Sequence, residues 1–557
     1  MSANLEPARA IVQPSEQNHS ADIRTALWLG LALFFFYLLT TSGHLPYADE
    51  ADYVNLAHNI LTRGRLIVEQ VELGPDGRPQ HVLTYSRLPL GQSLLTLPFV
   101  FLALPTREFL PQALSFVAHL VINSLPAAES AATCALVFLL IRILGRSQTK
   151  LYVSPRTALT VTLTTALATQ MWPASRTLFA DTSAALLLTF AIYSLVRFRL
   201  TNAGAGWLLS AAWSATLAVL CKTVFILAAP ALAAYGFFAV MRRNREQPLS
   251  YKSLVSLTIL AFVLVVITQL WYNHYRYGSI WLSGYHERRE GEFGFSTPLF
   301  AGLYGIFLSS GRSLFLYSPP CLLALFGARK FLNWAREEMA LVAGAALPLV
   351  FAYAKWWAWD GGWEWGNRFH LFLIPLLMWL GAPAWQWLDR RSLPAIVRRA
   401  RLVLLVSLIA ASIYVQGLGL LIRPDAYWEM VGSDEMSILV HRGYEKGVWD
   451  IRDNMLLAHF VPEFSPLAAH RWLVWATWNS SRLDDATLAA RAPWSSLNPK
   501  WAPKNVRPYL GFDLWFIEPW VSGETVARTA IIVIAAFLAV VVSLCIIKLK
   551  HAIDDSP

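Results

Sequence analysis

Nine ionisable residues fall at the ends of apolar stretches: Asp49, Glu50, Arg87, Asp181, Lys222, Arg312, Asp360, Glu364 and Arg368. A charge at or inside a membrane span costs a few kcal/mol unless it is paired or faces a polar cavity, so such residues point to function. Arg87, Lys222 and Arg368 together suit a phosphate or diphosphate, because guanidinium offers a bidentate fork and ammonium a compact point charge. Asp49 could then take the proton of an incoming hydroxyl, with Glu50 or Asp181 orienting the nucleophile or binding a cation. Two carboxylates flanking one bond would also fit glycoside hydrolysis. A hydrolase, however, has no need of an anion clamp beside them.

The elements that must position these residues are membrane spans. Of 557 residues, 56% are hydrophobic and only 15% charged, with a mean hydropathy of +0.44. That composition excludes a soluble globular protein. The net charge of +10 is concentrated in short loops: Arg142, Arg146, Lys150 and Arg156; Arg242, Arg243, Arg245 and Lys252; and Arg390, Arg391, Arg398, Arg399 and Arg401. This pattern marks cytoplasmic loops rather than a nucleic-acid surface. The four cysteines lie in apolar runs and read as small core residues, not a disulfide framework.

The predicted fold is an all-α polytopic membrane protein with about twelve spans of the roughly 20 residues that a bilayer requires. Residues 1–24 form a cytoplasmic tail, 25–421 the transmembrane module, 422–526 a small extracytoplasmic domain, and 527–557 the last span and a second tail. The first span, Thr25 to Thr41, is read as an uncleaved anchor. The outer loop 43–111 opens GHLPYADEADYVNLAHNIL, where Tyr53, Leu56, Ala57, Ile60 and Leu61 recur at helical spacing, so the acidic pair begins a short interfacial helix. A polar excursion follows, and the Pro and Gly of RLPLGQ break the chain at Arg87. The apolar stretch Leu114 to Leu144 is read as interrupted at Pro126 and Glu129. Phe315 to Phe326 is read as one span, and Asn273 to Pro298, carrying His274, His286, Arg288 and Arg289, as an outer loop.

On these residues the chain resembles the GT-C superfamily of polyprenyl-phosphate-sugar-dependent glycosyltransferases, including the protein O-mannosyltransferases and the transferase that adds aminoarabinose to lipid A. Asp49-Glu50 matches the leading acidic pair of that family's first outer loop, and Ser86-Arg87-Leu88-Pro89 its basic residue before Pro. WPASRTLFAD places Asp181 at the second acidic position, and Lys222 matches the phosphate-contacting lysine. SSGRSLFLYSPP (Ser309 to Pro320) and WDGGWEWGNRF (Trp359 to Phe369) resemble motifs of the bacterial branch. The chain departs where Arg87 replaces Lys and Leu88 replaces the first Pro.

The resemblance implies an inverting transfer from a polyprenyl-phosphate sugar to an extracytoplasmic acceptor, by a monomer in the inner membrane with its site facing outward. Catalysis would fall to Asp49, Glu50 and Asp181, and donor phosphate binding to Arg87, Lys222 and Arg368. Arg312, Tyr317, Trp363 and His274 are candidate substrate-binding residues. No cofactor is required by the pattern, although the oligosaccharyltransferase branch uses a divalent cation and the lone acidic pair leaves a metal open. The rival readings are a flippase of an anionic lipid-linked sugar, an oligosaccharide ligase with a diphosphate donor, and a non-catalytic envelope scaffold. Pro462 to Trp472 could shape an acceptor groove.

Overall fold

The computed structural model describes residues 16–73, 79–147, 153–201, 203–244, 252–284, 294–388, 394–432 and 457–554. Lys150, Arg245, His286, Arg288, Arg289, Arg390 and Arg391 lie outside the described residues. Among the described residues the structure is mainly helical, with one two-stranded antiparallel hairpin.

In chain order the helices are α1 (Glu16–Leu39), α2 (Ala48–Arg63), then β1 (Val68–Leu73) and β2 (Pro79–Thr84), followed by α3 (Leu90–Phe109), α4 (Phe116–Ser147), α5 (Pro155–Leu167), α6 (Met171–Ala174), α7 (Ala180–Leu200) and α8 (Gly206–Cys221). They continue as α9 (Ala229–Asn244), α10 (Lys252–Tyr277), α11 (Leu299–Leu308), α12 (Leu314–Tyr317), α13 (Leu323–Trp334), α14 (Arg336–Lys355), α15 (Leu373–Leu388), α16 (Ala395–Leu421) and α17 (Pro424–Gly432). Shorter helices and a long C-terminal helix, Thr525–Asp554, complete the chain.

Among the described residues, eight helices are long and apolar enough to cross a membrane, and four shorter apolar helices of 10–17 residues accompany them. Long helices suit such an environment because their backbone groups are satisfied within the segment. The main core is built from the inner faces of α1, α4, α5, α7, α14 and α15, with Phe138, Ile141, Leu188, Ile192, Leu349 and Trp379 fully enclosed. Around it, α1 packs on α4 and on the C-terminal helix, α7 on α8, and α13 on α15. A second core, from Ile422 to Val506, gathers Tyr427, Trp472, Leu473 and Trp494 beside the bundle.

Four features differ from the sequence reading. Helix α4 runs unbroken for 32 residues through Pro126, about 48 Å at 1.5 Å per residue. The stretch predicted as one span at Phe315 is instead split into α12, a 3-10 turn at Pro319–Leu322 and α13; Pro319 and Pro320 cannot donate the amide hydrogens that would continue a helix. Helix α10 runs on to Tyr277, so His274 sits on its last turn rather than in a loop. The polar excursion between α2 and α3 is the β1–β2 hairpin, with Val68 opposite Thr84 and Leu73 opposite Pro79.

Candidate functional site

The N-terminus of α2 supplies the acids. Tyr47 is the cap in extended conformation, and Asp49 and Glu50 occupy the first turn, where a carboxylate also meets the favourable end of the helix dipole. Glu50 turns inward and is fully buried. One of its oxygens accepts the backbone N–H of Tyr47 at 3.1 Å and the other that of Leu178 at 2.6 Å. The carboxyl therefore ties the start of α2 to the WPASRTLFAD segment. Burial pushes its pKa up to about 8, against the opposing pull of those two amides. The sequence assigned Glu50 to reacting groups; the structure spends both of its oxygens on backbone.

Asp49 faces the opposite way, into a nest of cations. It accepts from Arg87 Nη2 at 2.9 Å and from both Nη atoms of Arg368 at 3.0 Å. Burial alone would raise its pKa, but Arg368 and Arg87 outweigh that and hold the carboxyl below the ordinary carboxylate range. Arg368 also approaches Asp181, Nε to Oδ2 3.8 Å, and Asp181 in turn is ion-paired with Lys222. Five side chains from α2, the turn before α3, the first turn of α7, the end of α8 and the loop before α15 thus form one continuous network. Its three cations and two carboxylates leave one positive charge in excess.

The network is graded in exposure. Asp181 is 5% exposed, Asp49 13%, Arg368 16% and Lys222 17%, whereas Arg87 is 48% exposed at its open end. Aromatic faces line the closed end: the Arg368 guanidinium lies 4.0 Å from the Phe179 ring centre and the Lys222 ammonium 4.3 Å from that of Phe369. Phe369 is itself stacked on Tyr353 at 4.5 Å. Such faces attract cations and restrict their rotamers.

Each carrier is held by residues that the sequence did not single out. The backbone of Ser86 and Leu88, on either side of Arg87, accepts hydrogen bonds from the buried Arg276 of α10 at 2.7 and 3.2 Å. Ser86 Oγ donates to Asp52 at 3.3 Å. At Gly91 a Cβ would lie 2.5 Å from the backbone N of Cys221, so only glycine lets α3 approach the end of α8 next to Lys222. Arg368 follows a loop in which Gly361, Gly362 and Gly366 have φ of 81°, 86° and 68°; these left-handed values are ordinary for glycine and strained for other residues. Gln170 secures this loop by donating to the Trp365 carbonyl at 2.5 Å and bonding His370 Nε2 at 2.7 Å.

The remaining candidates lie elsewhere. Arg312 is fully buried and donates to the carbonyls of Glu364 (2.6 Å), Gly366 and Gly362. Asp360 is 4.0 Å away. Arg312 therefore clamps the glycine loop from within and is closed to substrate. Tyr317 is enclosed against Trp365, ring centres 5.1 Å apart, and Trp363 packs on the second core. His274 is exposed on α10. Glu364 accepts from Thr177 at 2.9 Å, and burial pushes its pKa up to about 7. Asp360 is drawn the other way: burial would raise it, but His459, 3.6 Å away, and Arg312 bring it down to about 2. His459 belongs to the segment leading into Pro462, Glu463, Ala468 and Arg471, which line a surface cleft together with Arg491 and Ser496.

Among the described residues no three His, Cys, Asp or Glu side chains are grouped as a metal site would need. Asp49 and Asp181 are instead each held by arginine or lysine.

No family model and no curated protein matches this chain. Among solved structures it is similar to ArnT from Cupriavidus metallidurans bound to undecaprenyl phosphate, at 14% identity over 86% of this chain and 76% of that one, with a TM-score of 0.45. The apo form of the same protein gives 13% identity over 83% and 90%, TM-score 0.44. The oligosaccharyltransferase of Archaeoglobus fulgidus gives 13% identity over 77% and 58%, TM-score 0.42.

Proposed function

We propose that this protein is an integral-membrane glycosyltransferase that moves a sugar from a polyprenyl-phosphate donor to a hydroxyl acceptor with inversion, its site facing the extracytoplasmic side of the inner membrane. The observation that carries this reading is the single network in which three cations and two carboxylates from five distant segments meet. A net positive, partly desolvated cluster is suited to a phosphate dianion leaving group, and preorganised cations of this kind are worth several kcal/mol in barrier.

In the reaction the bond between the sugar C1 and the phosphate oxygen breaks while the acceptor oxygen bonds to C1 from the opposite face. Polyprenyl phosphate leaves with the bonding electron pair, and the acceptor proton passes to Asp49. Arg87, Arg368 and Lys222 stabilise the departing phosphate. Arg87 and Arg368 are also the hydrogen-bond partners of Asp49, so a bound phosphate would compete with Asp49 for the same guanidiniums. Donor binding thereby loosens the groups that depress the Asp49 pKa and makes it a better base. Asp181 holds the Lys222 ammonium in place, and Glu50 acts as a positioning residue for the turn that bears Asp49.

The test is transfer from a radiolabelled polyprenyl-phosphate sugar in proteoliposomes. Asp49→Asn is expected to lower kcat by about 10² to 10⁴, the range for a general base, while the donor still binds. Full activity in this variant overturns the assignment of the base. Unchanged donor affinity in an Arg87→Ala, Lys222→Ala double variant overturns the phosphate clamp.

A further inference from the structure

Glu129 lies in the middle of α4, one of the helices apolar enough to span the membrane, and is 5% exposed. Among the described residues no basic side chain is paired with it. An ionisable residue at such a position is costly unless it is partnered or neutral. Among the described residues the hydrogen-bonding neighbour of its carboxyl group is Ser183 Oγ, which also lies 2.6 Å from Gln92 Oε1. Gln92 and Ser183 are fully buried.

Three oxygens therefore meet at this point: Glu129 Oε1, Ser183 Oγ and Gln92 Oε1. With Glu129 ionised, only the Ser183 hydroxyl hydrogen is available for two contacts, and one pair of oxygens faces each other without a proton. The three oxygens are reconciled when Glu129 carries one: its O–H donates to Ser183 Oγ, and Ser183 donates to Gln92 Oε1, which leaves the Gln92 Nε2 amide without a partner among the described residues. Turning the Gln92 amide would also reconcile them, but would leave a buried carboxylate whose Oε2 has no partner among the described residues, and an ionised carboxylate in a low-dielectric setting costs far more than an unpartnered neutral amide N–H and carbonyl oxygen.

The triad joins the carriers of the cationic network. Ser183 is two residues beyond Asp181 in the first turn of α7. Gln92 follows Gly91, whose backbone abuts Cys221, the residue before Lys222. We propose that Glu129 is a protonated carboxylic acid within the bundle, a positioning residue that pins the first turn of α7 to α3 and so sets Asp181 against Lys222. The role in transfer rests on the function proposed above; the protonation state does not.

The experiment has two arms on the full-length protein in lipid. Infrared difference spectroscopy between the wild type and Glu129→Gln is expected to show the carbonyl band of a protonated carboxylic acid, present in the wild type at neutral pH and lost in the variant. In the second arm, affinity for polyprenyl phosphate is measured for Glu129→Gln, Glu129→Leu and Ser183→Ala. Glu129→Gln, whose amide N–H donates to Ser183 as the acid does, is expected to stay within about twofold of wild type, while Glu129→Leu and Ser183→Ala each weaken binding by about five- to tenfold. The double variant Glu129→Leu, Ser183→Ala is expected to be no weaker than either single one, as for residues acting through one contact. A missing carbonyl band, or a Glu129→Gln variant as damaged as Glu129→Leu, overturns the proposal. Should Glu129→Leu fail to fold, an unaltered Ser183→Ala would do the same. A carbonyl band and weakened binding without any transfer activity would instead count against the glycosyltransferase reading alone.

Discussion

Among the described residues, two aspartates at opposite ends of the bundle each sit between two arginines. Near the start of α1, Asp22 accepts from Arg142 Nε and Arg146 Nη2, each at 2.9 Å. At the other end Asp49 accepts from Arg87 and Arg368 at 2.9 and 3.0 Å. The distances are nearly the same, but the surroundings are not. Asp22, Arg142 and Arg146 are 2%, 1% and 10% exposed, and Arg142 is further tied to the Val153 carbonyl at 2.6 Å. Arg87 is 48% exposed, and its partners continue into a second ion pair, Asp181 with Lys222. A sealed cluster can only brace the chain around it; an open one can exchange partners with an incoming anion.

The comparison is sharpest when both aspartates are neutralised. Asp22→Asn is expected to lose stability by about 3–5 kcal/mol, the cost of leaving buried guanidinium uncompensated, while the folded fraction binds donor normally. Asp49→Asn is expected to keep most of its melting temperature and lose transfer. Thermal melting in detergent and donor titration separate the two, and equal stability losses would erase the distinction. A smaller effect is expected from Arg87→Lys, which keeps the charge and loses the bidentate fork: donor affinity should fall about tenfold. The matching Arg146→Lys change should leave it unaltered.

The smallest effect concerns pH. The folded Glu50 carboxyl has its pKa raised from 4.5 to about 8. Between those values the folded protein holds a proton that the unfolded chain has released, so stability from this group falls as pH rises from 4.5 to about 8 and is level above. Glu364, raised to about 7, adds a fall in the same direction. Melting temperatures across that range should decline less steeply in Glu50→Gln than in the wild type. An identical slope would show that Glu50 does not change its protonation on folding.

Much of this was legible in the residues. The position of Asp49, Arg87, Asp181, Lys222 and Arg368 at span ends depends on hydropathy and on the distribution of basic loops, both of which are local patterns. Their meeting at one point depends on contacts between segments more than 300 positions apart, such as Arg368 with Asp49, and no periodicity encodes that. The partners of Glu50 were not legible, because a carboxyl that caps backbone amides and one that reacts have the same side chain and differ only in what they touch. Arg312, between small residues in an apolar segment, read as a buried charge that could pair with Asp360 or meet substrate, and its donors are spent on loop carbonyls with Asp360 close by. The hairpin had a usable signal in Gly74-Pro75-Asp76-Gly77 between the β-prone runs VEQVEL and HVLT. Arg276 had none, since a basic residue at the end of a span is ordinarily an interfacial anchor.

Arg276 also links the site to its surroundings. It sits on α10, a helix with only 22% of its apolar window covered by protein, and it grips the main chain on both sides of Arg87, with Tyr275 edge-on to Tyr85 beside it. A helix so open to acyl chains adjusts its tilt to the thickness of the bilayer around it. On the function proposed above, that adjustment would reach the outermost charge of the network through one guanidinium, and donor affinity is then expected to vary with the thickness of the bilayer.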